Sequence, residues 1–246
     1  MENKLEDNSF IIPSKNLMPF IDNKKLYAEV GRVINSAKGS LVDNEKKFYK
    51  NSVDPFSALF DALWQNIGLT EWLKQEKARQ NQKTLQNHLG TFHQELIGCF
   101  NGWESLGTGK VFDVKNVSKK IIAEIKNKHN TTKGNHKVAI YDDLKGQLNG
   151  EYRNCTAYYV EVIPKNKKTY NKPFTPSDNR THECRPADEK IRVIDGKSFY
   201  ELATGDPDAL KKIYGILPKV IGDILGKEYK EMEGDTTFEG LFNKIY

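Results

Sequence analysis

The chain has 246 residues, a formal net charge of +5, 37% hydrophobic residues and a mean hydropathy of −0.68. That length buries a real core without disulfide or metal staples, and no run of 18 apolar residues offers a membrane span. The opening MENKLEDNSF lacks a basic region followed by an apolar stretch, which argues against secretion. The three cysteines, Cys99, Cys155 and Cys184, imply no disulfide framework, so a cytoplasmic protein is expected.

Residues 1–16 read as a frayed tail. Leu26, Val30, Val33, Ile34 and Ala37 then recur at helical spacing, and a second short helix is expected over 41–49. Asp54-Pro55 is an N-cap followed by a first-turn proline. Phe56, Leu59, Phe60, Leu63, Trp64 and Ile67 follow as one apolar face, expected to be helix core and closed by Gly68. Thr70 is the expected cap of the next helix. The polar stretch 74–87 is helical in propensity, and Phe92, Leu96, Ile97 and Phe100 mark one more apolar stripe.

At Gly107-Thr108-Gly109 the period changes. Strands are expected at 111–114 and 121–126 with a turn between them, followed by a helix carrying Val138, Tyr141 and Leu144. TAYYVEVI at 156–163 is the clearest strand. The polar, aperiodic segment 165–187 reads as one long loop, longer than compact domains tolerate without a function. A last strand spans 191–194 with Asp195-Gly196 as its turn, and helices follow over 199–203, 207–214 and 219–225. The expected class is α+β. It is laid out as one domain over 1–246: a helical part at 17–106, a small sheet with the long loop at 107–195, and C-terminal helices at 196–246.

Chemistry concentrates in the two central strands. Between Lys115 and Lys137 there are seven lysines and one acid, Glu124. Period 2 places Glu124 and Lys126 on one strand face, and a hairpin brings Asp113 alongside. Two carboxylates and an amine suit metal-dependent phosphodiester hydrolysis. A hard cation such as Mg²⁺ takes carboxylate and water oxygens, and it acidifies its water and stabilises phosphoryl charge. On Glu-x-Lys alone a surface salt bridge is the better reading; Ile121, Ile122 and Ile125 around it place the charges near a core.

Asp113, ten residues, then Glu124-Ile125-Lys126 has the form of the PD-(D/E)XK nuclease motif, with Phe112 in place of the usual proline. The longer runs FYKNSVDPFSALFD (48–61), GWE (102–104), IAEIKNKHNT (122–131) and IDGKSFY (194–200) resemble a subfamily of type II restriction endonucleases that recognise GGNCC or GGWCC sites. The resemblance covers roughly residues 18–215. It implies a restriction-endonuclease-like core of a small mixed sheet flanked by helices. It also implies Mg²⁺-dependent cutting of both strands of a short palindrome by a bacterial or archaeal homodimer, leaving 5′-phosphate ends, with a cognate methyltransferase for the same site. Asp113, Glu124 and Lys126 take the catalytic positions; Asp113, Glu124 and the backbone carbonyl near Ile125 take the metal positions.

The run Asn127, Lys128, His129 and Asn130, with Lys133 beyond it, is suited to phosphate contacts flanking the scissile bond. Arg180 and Arg185 are candidate readers of guanine, and Glu183 of cytosine; charge-only binding of DNA by the same loop is the bland alternative. Glu95 and Glu104 are candidates for one extra acid at the metal. His182 and Cys184 with distant Cys155 lack zinc spacing, and Gly102 to Thr108 lacks the P-loop lysine. Two rival readings remain: a structure- or repair-directed nuclease with the same trio, and a DNA-binding protein without catalysis.

Overall fold

A computed structural model describes residues 11–40, 45–51, 53–107, 109–178, 180–227 and 237–246. The first ten residues of the expected tail, positions 41–44 of the expected second helix, Thr108 and Asn179 lie outside the described residues. Two compact units emerge: Gly31–Gly90 is one, and the residues up to Val30 with Thr91–Tyr246 form the other.

The larger unit is built on a six-stranded mixed sheet. The strands are β1 (Glu104–Ser105), β2 (Val114–Asn116), β3 (Ile121–Lys128), β4 (Thr156–Ile163), β5 (Asn171–Pro173) and β6 (Ile191–Asp195), in the order β1-β2-β3-β4-β6-β5. β1, β2 and β3 run antiparallel; β3, β4 and β6 are parallel; β5 closes the far edge antiparallel to β6. The helices are α1 (Asn23–Ser40), α2 (Glu45–Lys50), α3 (Pro55–Trp64), α4 (Leu69–Gly98), α5 (Gly134–Asn149), α6 (Gly196–Thr204), α7 (Ala209–Leu225) and α8 (Phe238–Ile245). The protein is α+β, a mixed sheet flanked by helices.

β4 is apolar along nearly its whole length because parallel strands are buried on both faces. On one face α5 lays Ile140, Tyr141 and Leu144 onto Ile122, Ala157, Tyr159, Ile191 and Val193. On the other, Phe199 of α6 packs edge-on against Tyr158 and Trp103. Asp195 is not a turn residue. It ends β6 and caps α6, accepting the Ser198 amide at 3.0 Å, so the strand runs directly into the helix. A Cβ at Gly196 would stand 2.3 Å from the Val162 carbonyl oxygen, so α6 can start this close to β4 only with glycine there.

Several sequence expectations shift. Residues 13–17 are tied down: Asn23 donates to the carbonyls of Pro13 and Lys15 and accepts the Leu17 amide. The strand expected at 111–114 is β2 at 114–116, and the turn follows it at 117–120. β1 lies at the end of the part expected to be helical, 17–106. Thr70 lies inside the first turn of α4, which is one 30-residue helix. The helices expected at 207–214 and 219–225 are one, α7, continuous through Pro218. The segment 165–187 contains β5; three residues including a proline give no alternation to detect.

The largest correction falls in the smaller unit. Asp54 caps α3 as expected, accepting the Phe56 amide, with Pro55 in the first turn. The apolar stripe, however, faces out. Phe56, Leu59, Phe60, Leu63 and Trp64 are 58–90% exposed, and α3 instead buries Ala58 and Ala62 against Trp72. The Trp72 indole N–H donates to Asp61, which holds this small-residue side inward.

Candidate active site

β2 and β3 bring the expected trio together. Asp113 precedes β2; its amide donates to the Ala123 carbonyl at 3.0 Å, and its Oδ2 accepts the Ile125 amide at 2.7 Å. The Asp113 side chain is thereby fixed to the strand that carries Glu124 and Lys126. Lys126 Nζ lies 2.5 Å from Glu124 Oε1, both side chains only partly exposed. Burial and the neighbouring Glu124 carboxylate push the Asp113 carboxyl up to about 7. The two acids are crowded, as they would be around a shared cation.

That donor set fits a hard divalent ion. Two carboxylates with a backbone oxygen leave room for the waters that Mg²⁺ retains. Among the described residues no cluster of three or more His, Cys, Asp or Glu side chains could hold a metal, so an all-protein cage of the zinc kind is not built. Glu104 pairs with Lys115 at 3.3 Å on β1–β2. Glu95 lies with Glu29 near Cys99, whose thiol is pushed up to about 11, first by burial and then by Glu29. Neither Glu95 nor Glu104 is brought to Asp113.

The sheet register adds residues that the sequence reading missed. Across β3, β4 and β6, Lys126 aligns with Glu161, and Glu161 with Asp195. Glu161 is buried, and both of its oxygens are taken: Lys137 Nζ at 2.6 Å and the Tyr170 hydroxyl at 2.5 Å. Lys137 also donates to the His129 carbonyl, and Tyr170 donates its amide to Asp195. Burial and the Glu161 hydrogen bond raise the Tyr170 phenol well above its ordinary range. A lone carboxylate inside TAYYVEVI was the available signal.

A family model for the Eco47II restriction endonuclease matches residues 18–226. The type II restriction enzyme Eco47II of Escherichia coli is 41% identical over 215 residues, covering 86% of this chain and 90% of that enzyme. The type II restriction enzyme Sau96I of Staphylococcus aureus is 32% identical over 203 residues, covering 81% of this chain and 76% of that enzyme. The chain belongs to the Eco47II restriction endonuclease family. It is therefore a site-specific deoxyribonuclease, and the nuclease motif read from Asp113, Glu124 and Lys126 sits within the matched region.

The candidate DNA contacts of this endonuclease are distributed unevenly. Asn127 is partly buried within β3, Lys128 ends the strand exposed, and Asn130 and Lys133 are exposed beyond it. His129 is held by its amide on the Ile163 carbonyl, and its buried Nδ1 has no hydrogen-bond partner among the described residues. The segment around Arg180 is no open loop. Arg185 N–H donates to Pro176, Asp178 N–H to Glu183, and Ser177 bridges Cys184, closing a hairpin-like turn. The Arg180 side chain is 80% exposed on that turn. Arg185, at its base, grips Asp142 of α5 with Nε at 2.8 Å and Nη2 at 2.7 Å. Glu183 is exposed. Among the described residues no helix is long and apolar enough to cross a membrane.

Proposed function

We propose that this restriction enzyme cuts both strands of a short G·C-rich palindrome, GGNCC-like, in a Mg²⁺-dependent reaction that leaves 5′-phosphate ends. The observation that carries the reading is the joining of Asp113, Glu124 and Lys126, with Asp113 locked to the Ile125 amide. Asp113, Glu124 and the Ile125 carbonyl would hold the ion. When bound, it lowers the pKa of a water and offsets charge building on the phosphate. Lys126 Nζ would orient the attacking water and offset charge on the phosphate. The Ile125 amide keeps the Asp113 carboxylate in register with β3, where it would face the ion. Asn127, Lys128, His129, Asn130 and Lys133 grip flanking phosphates, and Arg180, Glu183 and Arg185 belong to the base-reading segment.

A homodimer follows from the symmetry of such a site: one trio cuts one strand, and a C2 pair places a trio on each. The exposed stripe of α3 supports a second copy as the occupant of that face. At roughly 150–250 Å² per aromatic side chain, its five large side chains expose on the order of 700 Å². A standard interface buries about 800 Å² per partner. The enzyme would work in the cytoplasm beside a methyltransferase protecting the same site.

Digestion of plasmid DNA with and without Mg²⁺ tests the reading. Discrete fragments only with the metal, whose mapped ends share one GGNCC-like sequence and are ligatable, are expected. A smear would point instead to a structure- or repair-directed nuclease, and intact DNA with retained binding to a protein without catalysis.

A further inference from the structure

Beside β4, one strand from Lys126, lies a cavity of about 310 Å³ lined by Lys137, Glu161, Lys165, Tyr170, Lys172 and Phe174 among others. Its chemistry is one-sided. Three ammonium groups face one carboxylate, and that carboxylate is already paired with Lys137. Among the described residues, neither Lys165 nor Lys172 has a carboxylate partner; Lys172 Nζ rests 6.0 Å from the centre of the Tyr170 ring. Two positive charges are left over in a concave site.

The cavity is also built rather than incidental. Lys137 is fixed from three directions: Glu161 at 2.6 Å, the His129 carbonyl at 3.2 Å and the face of Tyr159 at 5.3 Å. Tyr170 is fixed by its hydroxyl on Glu161 and its amide on Asp195. Glu161 sits 8% exposed beneath both. Fixing a long lysine side chain in advance removes part of the ordering cost of binding. An ammonium pocket with two unpaired lysines fits a singly charged phosphodiester.

We propose that this cavity is a DNA-backbone subsite. Lys165 and Lys172 hold a phosphodiester of the cut strand near the scissile one, with Lys137 as third donor and Glu161 and Tyr170 as positioning residues. The inference rests on the reading of Asp113, Glu124 and Lys126 as the cutting site. Neighbouring strands in a sheet lie about 4.8 Å apart, so the register pairing of Lys126 with Glu161 sets the subsite next to the scissile position.

The test uses full-length enzyme and cognate duplexes carrying a single uncharged methylphosphonate, moved one position at a time along the cut strand. Affinity is measured in Ca²⁺ over a range of salt. One substitution near the cut should weaken wild-type binding about tenfold. The Lys165→Ala/Lys172→Ala variant should bind the ordinary duplex more weakly and lose its response to that one substitution. Its logarithmic salt slope should fall by about 1 for each phosphate it no longer neutralises, equally for cognate and single-base-changed duplexes. Glu161→Gln, which frees Lys137, should reduce the same methylphosphonate response in part, a change that a merely structural role would not confine to one phosphate. Both lysines are exposed, so the double variant is expected to fold. An unchanged salt slope, or a double variant that still responds to every methylphosphonate as wild type does, overturns the subsite. Cleavage by wild type in Mg²⁺ and its loss in Asp113→Ala are read separately, so failure of the cutting-site reading is recognised on its own.

Discussion

Asp113 accepts the backbone amide of Ile125, so one carboxylate of the trio is tethered to the strand that carries the other. The tether holds two acids together in a buried place, and the Asp113 carboxyl is raised to about 7 by burial and by Glu124. An acid whose pKa is higher folded than unfolded favours the folded state while it keeps its proton. That contribution is therefore present at low pH and is lost as pH rises from about 4 to about 7.

The first prediction follows from that sign. In EDTA, Asp113→Asn should be more stable than wild type at pH 8 by about 1–2 kcal/mol, or roughly 3–6 °C in Tm for a chain of this size. Near pH 5 the difference should shrink. The same variant should lose cleavage by about 10³-fold or more, some 4 kcal/mol of transition-state stabilisation. Thermal melts across pH, with single-turnover cleavage in Mg²⁺, check both halves. An Asp113→Asn protein that melts below wild type at pH 8 would show that the pair is not strained.

Lys126 carries the second prediction. Its ammonium lies 2.5 Å from Glu124, and in the proposed mechanism it serves there as a compact charge that orients water. Arginine keeps the charge but neither the compactness nor the acidity. Lys126→Arg should bind cognate duplex in Ca²⁺ within a few-fold of wild type yet cleave as poorly as Lys126→Ala. Cleavage by the arginine variant at near wild-type rate would remove Lys126 from the water-orienting role and leave it as a charge only.

The α3 stripe yields the third. Phe60 and Trp64 are 76% and 90% exposed, so acidic replacements should leave the fold unharmed. Wild type should sediment as the proposed dimer, and Phe60→Asp with Trp64→Asp as a monomer. On supercoiled plasmid the double variant should accumulate nicked circles rather than linear product. Unchanged sedimentation would take α3 out of the interface, and a lowered Tm at constant mass would mean that the stripe is covered by its own chain.

How much of this was legible in the sequence depends on what each element buries. β4 was readable from TAYYVEVI because a parallel strand covered on both faces is apolar along nearly its whole length, with Glu161 its one charged residue. Asp54-Pro55 marked the start of α3 because capping is local chemistry. The burial of α3 was not legible. Helical spacing shows that Phe56, Leu59, Phe60, Leu63 and Trp64 share a side, but the side that packs is the one with Ala58 and Ala62, and that depends on Trp72. In the candidate site, Asp113, Glu124 and Lys126 are close in sequence, and their juxtaposition across a hairpin was readable from spacing. Glu161 showed only as a lone carboxylate inside TAYYVEVI; its joining to Lys137 and Tyr170 runs through strand register and a crossover helix, which spacing does not carry.

The last prediction separates the two arginines that the sequence treated alike. Both were expected to read guanine, at roughly 1–3 kcal/mol per bidentate contact. Arg185 already directs both ends of its fork at Asp142 and stands at the base of the 176–185 turn, 28% exposed. Arg180 stands out from the turn, 80% exposed, with its amide fixed on Asp178 and only a 3.6 Å contact from its guanidinium. Reading a base with Arg185 would require breaking the Asp142 pair, whereas Arg180 needs to break little. Arg180→Ala should therefore lose affinity for the cognate duplex by about 5- to 150-fold, the equivalent of 1–3 kcal/mol, while single-base-changed duplexes lose much less. Arg185→Ala should loosen the turn and weaken both kinds of duplex together, and Asp142→Ala should reproduce that pattern because it removes the same anchor. Equilibrium binding in Ca²⁺ to cognate and altered sites distinguishes these outcomes. Equal losses on both sites for Arg180→Ala would make it a phosphate contact. A cognate-only loss for Arg185→Ala that Asp142→Ala does not share would return base reading to Arg185.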